Sequence, residues 1–152
     1  MFQKTKDWLN SHSIDFREVH HAPTKTSEES AKARGEKLST GGKALVLKVD
    51  KEFKLFVISA SKKLDSHAVK KYFGVKKLRF ANKEELLELT GLVPGSVPPF
   101  GKPLINLELY VDNSILQNEN IAFNAGSLTD SIIMDRKEYI TISKPTVFDF
   151  SI

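Results

Sequence analysis

Lys43-Ala-Leu-Val-Leu-Lys-Val49 and Phe53-Lys-Leu-Phe-Val-Ile-Ser-Ala60, joined by Asp50-Lys-Glu52, decide the fold class. Both runs are dense in β-branched and aromatic residues, and the polar tripeptide between them is the length of a hairpin connection. Apolar residues on both faces place this hairpin in the middle of a sheet. Working outward, Ile121-Ala-Phe-Asn-Ala125 and Ser131-Ile-Ile-Met134 read as a second hairpin around Gly126-Ser-Leu-Thr-Asp130. Leu107–Val111 and Lys76–Phe80 are further strands, Asp112-Asn113-Ser114 is a turn, and Ile14–His20 has an imperfect edge-strand alternation ended by Pro23. Helices fill the gaps. One covers Phe2–His12, a second starts at N-cap Thr26 with Glu29 closing a capping box, and a third runs from Asp65 or Ser66 to Phe73. A fourth starts at Asn82 with Glu85, and Asp135 caps a last one through Tyr139 and Ile142. Gly35, Gly74 and Gly91 are the stops. Hairpins with helices inserted between them predict an α+β fold on a mostly antiparallel sheet.

At 152 residues the chain is expected to be one domain, residues 1–152. No apolar run approaches the roughly 20 residues of a membrane span, and Lys4, Lys6 and Asp7 interrupt any leader-like start. No membrane partner is therefore expected, and a cytoplasmic location is. Zero cysteine excludes disulfides, thiolate nucleophiles and thiolate metal sites. The four histidines have no metal-ligand spacing, so neither a metal nor another cofactor is predicted; His20 and His21 are more simply structural or solvated. The net charge of +4 and pI near 9.2 are compatible with a polyanionic partner.

Gly91-Leu-Val-Pro-Gly-Ser-Val-Pro-Pro-Phe-Gly101 carries three glycines, three prolines and no charge. Proline locks φ and glycine admits close backbone approach, so this is a stiff, kinked loop with bare amides at Gly95, Ser96 and Val97. Its apolar Leu92, Val93, Val97 and Phe100 make it one wall of a pocket rather than a flexible connector. Lys43 shares the strand parity of Leu45, Leu47 and Val49, and Gly41-Gly42 before it leave its approach unobstructed. A snorkelling strand-end lysine would have the same parity.

Three stretches in this order, Gly42-Lys43-Ala44-Leu45, the Gly91–Gly101 loop and Phe123-Asn-Ala-Gly-Ser127 followed by Ser131-Ile132, resemble the YbaK/ProX family of aminoacyl-tRNA deacylases. The same domain is inserted in bacterial prolyl-tRNA synthetases as an editing domain. The loop's Gly95–Pro99 is similar to the family's GxxxP element. The resemblance implies a barrel-like mixed sheet with flanking helices. It also implies hydrolysis of the ester between a wrong, small amino acid (alanine, serine or threonine) and the 3′-terminal adenosine of a tRNA. The partners it implies are mischarged tRNA and, in some settings, an aminoacyl-tRNA synthetase, with no DNA. Chemistry would be assisted by the ribose hydroxyl beside the ester, without a protein triad.

Within that picture Lys43 and Gly95 are the catalytic candidates, the lysine for a terminal phosphate or for charge developing on the ester, and amides around Gly95 and Ser96 as oxyanion donors. Substrate contacts fall to Ser96, Val97, Pro99 and Phe100 on one wall. Asn124, Ala125, Gly126, Ser127 and Ser131 form the other. Some proline-system editors have a histidine where Asn124 stands here, which makes this wall polar without a titrating group. Lys62, Lys63, Lys70 and Lys71 belong to a run of seven bases between Lys62 and Arg79 and are assigned to tRNA. The competing readings are a non-catalytic tRNA- or synthetase-binding module and, without tRNA, a hydrolase of other small esters or a nucleotide binder.

Overall fold

The computed structural model describes residues 1–24 and 26–152. The elements are α1 (Phe2–Ser11), β1 (Phe16–His20), α2 (Ser27–Arg34), β2 (Gly42–Val49), β3 (Glu52–Ser59), α3 (Ser66–Phe73) and β4 (Leu78–Phe80). There follow α4 (Lys83–Thr90), β5 (Leu109–Asp112), β6 (Asn120–Asn124), β7 (Asp130–Asp135), α5 (Arg136–Ser143) and β8 (Thr146–Phe148). Helix starts are where side-chain caps can form: Thr26, Asp65, Asn82 and Asp135 each accept from a backbone N–H three residues on. At Asn82 the Glu85 carboxylate returns the bond to the cap's own amide.

The α+β class stands, on two sheets. The larger has strand order β4-β2-β3-β5-β8, and the smaller β1-β7-β6. Both hairpins pair antiparallel, Lys43 opposite Ile58 in one and Phe123 opposite Ile132 in the other. β5 instead runs parallel to β3, and β8 parallel to β5, so the larger sheet is mixed. The strands do not close into a barrel. Among the described residues the two sheets are joined by one bridge, Gly41 to Ala122, beside Gly42. A Cβ at Gly42 would lie 2.7 Å from Ile121 Cδ1, so glycine is what lets β2 approach β6 there. The expected Asp112–Ser114 turn is the start of a 3₁₀ helix, Asn113–Gln117, capped by Asp112, whose carboxylate also holds the C-terminal tail through the Phe150 amide and Ser151 hydroxyl.

Strand alternation sends residues of β2 and β3 to two cores. Val46, Leu55 and Val57 pack with Phe100, Ile121, Phe123, Ile132 and Tyr139 between the sheets. Leu47, Val49, Phe56 and Ile58 pack with Val69 of α3 and Phe150 on the opposite face. Lys54 is a charge amid this apolar content; it is buried but ion-paired to Glu52 and Glu108, as a buried cation requires. No helix among the described residues is long and apolar enough to cross a membrane.

Candidate active site

Where β2 leaves the β6 junction, the start of the strand, the Pro94–Val97 turn, the end of β6 and the face of α2 enclose a cleft of about 270 Å³. Lys43, Ala44, Gly95, Val97, Asn124 and Arg34 line it, with Thr24, Thr26, Ser27 and Ser30 at the α2 side and Leu128 and Ala60 at its margins. It lies at the small end of ligand pockets.

Arg34 organises the floor. It is the last residue of α2, where Gly35 takes a left-handed φ of 71° and stops the helix. Only 8% of it is exposed, and its Nε donates to Ser131 Oγ at 2.9 Å while Nη2 donates to Asn124 Oδ1 at 3.0 Å. With Oδ1 thus occupied, the Asn124 amide nitrogen faces the opposite way and donates to the Gly95 carbonyl at 2.7 Å. A chain of polar contacts therefore runs from α2 through β6 to the loop. Burial pushes the Arg34 guanidinium down to about 10, with Glu36 acting the other way, so it remains charged at neutral pH. Beneath the floor, His21 Nε2 lies 2.8 Å from Ser131 Oγ.

Lys43 is opposite in character. It is half-buried at the cleft wall, and its ammonium makes no hydrogen bond or ion pair with a described residue. Gly95 adopts φ 87°, a left-handed conformation that glycine alone takes without strain, and its amide donates to no described residue. The edge of β2 adds further free groups. The Val46 carbonyl accepts from Ala81 and the Asp50 amide donates to Lys77, so even-numbered residues direct their backbone groups toward β4. β4 pairs only with Leu47–Val49, which leaves the Ala44 N–H and C=O on an open edge at the cleft.

The fold thus brings Lys43, Gly95, Val97 and Asn124 together. The other expected contacts lie behind or beside the cleft. Ser96 is buried, and both its amide and its hydroxyl donate to the Val93 carbonyl, which leaves neither for a ligand. The Pro99 carbonyl accepts from the Tyr139 hydroxyl at 2.6 Å, and Phe100 packs edge-on against Trp8, Phe123 and Tyr139 in the core. Ala125 is fully buried, Gly126 donates its amide to Ser96, and Ser127 donates to Asp130. Ser131 contributes from below, through Arg34 and Asn124. The Asp130 carboxyl is held below the usual carboxylate range; burial works upward but is outweighed by hydrogen bonds from Ser127, His20 and Thr129. Of the four lysines assigned to tRNA, Lys62 and Lys63 sit on the exposed turn after β3 and Lys70 and Lys71 on α3.

Arg34, Thr24, Ser27 and Ser30 were not among the expected residues. A signal for three of them exists: Ser27, Ser30 and Arg34 are spaced three and four apart, a polar stripe on one helix face.

Residues 21–142 match the aminoacyl-tRNA editing domain family. The chain is 33% identical over 148 residues to the multifunctional Ser/Thr-tRNA deacylase ProXp-y of Escherichia coli strain K12, covering 93% of this chain and 87% of that protein. It is also 29% identical over 107 residues to the proline–tRNA ligase of Macrococcus caseolyticus, covering 70% of this chain but 18% of the ligase. A solved structure of a candidate trans-editing enzyme for prolyl tRNA synthetase superposes with a TM-score of 0.85 at 28% identity, covering 99% of this chain and 96% of the other. Matched along most of its length in sequence and in fold, the chain belongs to the aminoacyl-tRNA editing domain family.

Proposed function

We propose that residues 1–152 form one editing domain that acts in trans as an aminoacyl-tRNA deacylase, in the cytoplasm where tRNA is charged. Its substrate would be a mischarged tRNA carrying a small amino acid of the alanine, serine or threonine class. The observation that carries this reading is that Lys43, whose ammonium pairs with no described residue, lines one small cleft with Gly95, whose amide donates to no described residue, over a floor whose polar groups are already committed. Water adds to the ester carbonyl, and negative charge grows on its oxygen, where an ammonium and a backbone N–H act as preorganised donors. The ester C–O bond then breaks, and the departing ribose oxygen takes up a proton relayed through its vicinal hydroxyl. Free amino acid and a tRNA with an intact 3′ end are the products. An aminoacyl ester is labile enough for positioning and oxyanion stabilisation to suffice.

The small volume favours short side chains, and the Ser/Thr-tRNA deacylase activity for which the Escherichia coli relative is named puts serine and threonine esters first for testing. Asn124 belongs to the reading as a positioning residue, since both ends of its amide are engaged by Arg34 and Gly95.

The test is release of amino acid from tRNAs mischarged with alanine, serine and threonine, with wild type and Lys43→Ala side by side. Selective release that falls by about 100-fold in a fully folded Lys43→Ala protein is expected. Equal rates in the two proteins would remove Lys43 from the chemistry. Release no faster than without protein, with tRNA still bound, would leave a binding module in place of an enzyme.

A further inference from the structure

Away from the cleft, the β2–β3 turn, α3 and β4 enclose a second concavity of about 500 Å³. Lys48, Lys51, Lys70, Lys76, Lys77 and Arg79 line it, against one carboxylate, Asp50, and one apolar residue, Leu78. The sequence run of bases supplies only part of this set; Lys48 and Lys51 arrive through the hairpin, which folds back against β4 with Lys48 opposite Arg79. Arg79 is the exception among the six, because its guanidinium is held by both oxygens of Glu85. The Lys51, Lys76 and Lys77 ammoniums are exposed and make no ion pair with a described residue. Cations gathered into a concave surface without anionic partners repel one another, an arrangement stabilised when a polyanion enters and displaces its counterions.

Position narrows the partner. Groove and cleft lie along the same edge of the larger sheet, β4 covering the far half of β2 and the cleft occupying the uncovered near half. The backbones of Lys43 and Lys48 are five residues apart on β2, about 17 Å along this edge at the strand rise, with their side chains leaving opposite faces of the strand. The four unpaired nucleotides at the 3′ end of a tRNA span about 14 Å when stacked at single-strand helical rise. With the terminal adenosine in the cleft, the next phosphates to reach the groove are those of the first base pairs.

We propose that this groove receives backbone phosphates of the tRNA acceptor stem, a step that rests on the deacylase reading for its orientation but not for its measurement. The contact is to phosphates alone and independent of sequence. It moves the tRNA footprint from Lys62, Lys63 and Lys71 to the concavity, with Lys70 the residue common to both.

The experiment is binding of uncharged tRNA by fluorescence anisotropy across a salt series, using wild type, Lys76→Gln/Lys77→Gln, Lys76→Glu/Lys77→Glu, and the control Lys4→Glu/Lys137→Glu on α1 and α5. Melting curves establish that each is folded. The glutamine pair should flatten the slope of log K against log salt by about two, and the glutamate pair should lower affinity further. The control, with the same net charge change as the glutamate pair, should match wild type. Equal losses in the groove and control pairs, an unchanged slope, or no tRNA binding by wild type would each overturn the groove. Because the readout requires no turnover, inactivity on mischarged tRNA with normal groove-dependent binding would reject only the hydrolytic reading. Hydrolysis with groove-independent binding would reject only this one.

Discussion

The two ends of β2 handle positive charge in opposite ways. At the Gly42 end, Arg34 is buried and hydrogen-bonded at Nε and Nη2, and each acceptor is itself tied to another element. At the Val49 end, lysines of the groove project from β2, the β2–β3 turn, α3 and the segment before β4, and none makes an ion pair with a described residue. A buried cation must have its partners inside the protein, so its geometry is set before any ligand arrives. Exposed lysines remain hydrated and adaptable, which suits a phosphate backbone met in variable register. Damage should therefore appear in stability and turnover at one end and in salt-dependent affinity at the other.

Arg34→Ala is the largest effect expected. It strips the charged donor from Asn124 and Ser131 in a region where, among the described residues, no buried side-chain nitrogen or oxygen lacks a partner. Removing a charged hydrogen-bonding group of this kind costs about 2–3 kcal/mol, or roughly 5–10 °C in melting temperature for a chain of this size. Deacylation should fall by about 100-fold or more, since nothing then orients the Asn124 amide toward Gly95. Arg34→Lys sharpens the point. One ammonium cannot reproduce a rigid fork to two acceptors, so it should recover stability more than activity. An Arg34→Ala protein that melts like wild type would show that the floor is not preorganised by this residue.

Arg34 also marks the limit of what could be read from the chain. Elements governed by neighbours in sequence were legible: the capping residues Thr26, Asp65, Asn82 and Asp135, both antiparallel hairpins, and the stiff loop of the cleft. What escaped depends on partners far along the chain. The β8 strand, Thr146–Phe148, is three residues long and exists because β5 offers it a parallel edge. The division into two sheets turns on how closely Gly42 lets β2 approach Ile121. Ser96 was a fair candidate on composition, but its hydroxyl and amide are both consumed by the Val93 carbonyl in a tight turn. Arg34 sits in a strongly charged helix that reads as solvated, and only the Ser27–Ser30–Arg34 spacing hinted at an inward face.

Gly95→Ala separates conformation from space within the cleft and should have an intermediate effect. A Cβ there would meet Leu128 Cδ2 at 3.5 Å, an ordinary contact, so no clash opposes it. The φ of 87° does oppose it, at a cost of about 1–2 kcal/mol for an L-residue in the left-handed region. Relief of that strain rotates the two peptide groups that flank Gly95, one carrying the carbonyl that Asn124 holds and the other the amide that donates to no described residue. Activity should therefore fall by about tenfold with a melting shift of only a few degrees. A loss of stability without a loss of activity would mean that the amide's direction is immaterial.

The smallest effect belongs to the rim of the groove. Glu85 serves two masters: it closes the α4 capping box through the Asn82 amide and it neutralises Arg79. Glu85→Gln keeps the first role, because a glutamine side chain satisfies the same box, and weakens the second. The Arg79 guanidinium is then released toward the phosphates, and tRNA affinity should rise by about two- to fivefold at low salt, the range of a single exposed charge pair, and converge with wild type as salt increases. Hydrogen bonds from Arg79, then from the Asn82 amide, hold the Glu85 carboxyl at about 2. A depressed carboxyl contributes its stabilising charge above the ordinary carboxylate range and loses it only as pH falls toward that value. From about pH 5 to 8 the pair therefore stays ionised, and the gain from Glu85→Gln should be constant across that window. A gain that appears only at the acid end would place the titrating group elsewhere, and no gain at all would mean that Arg79 does not face the bound RNA.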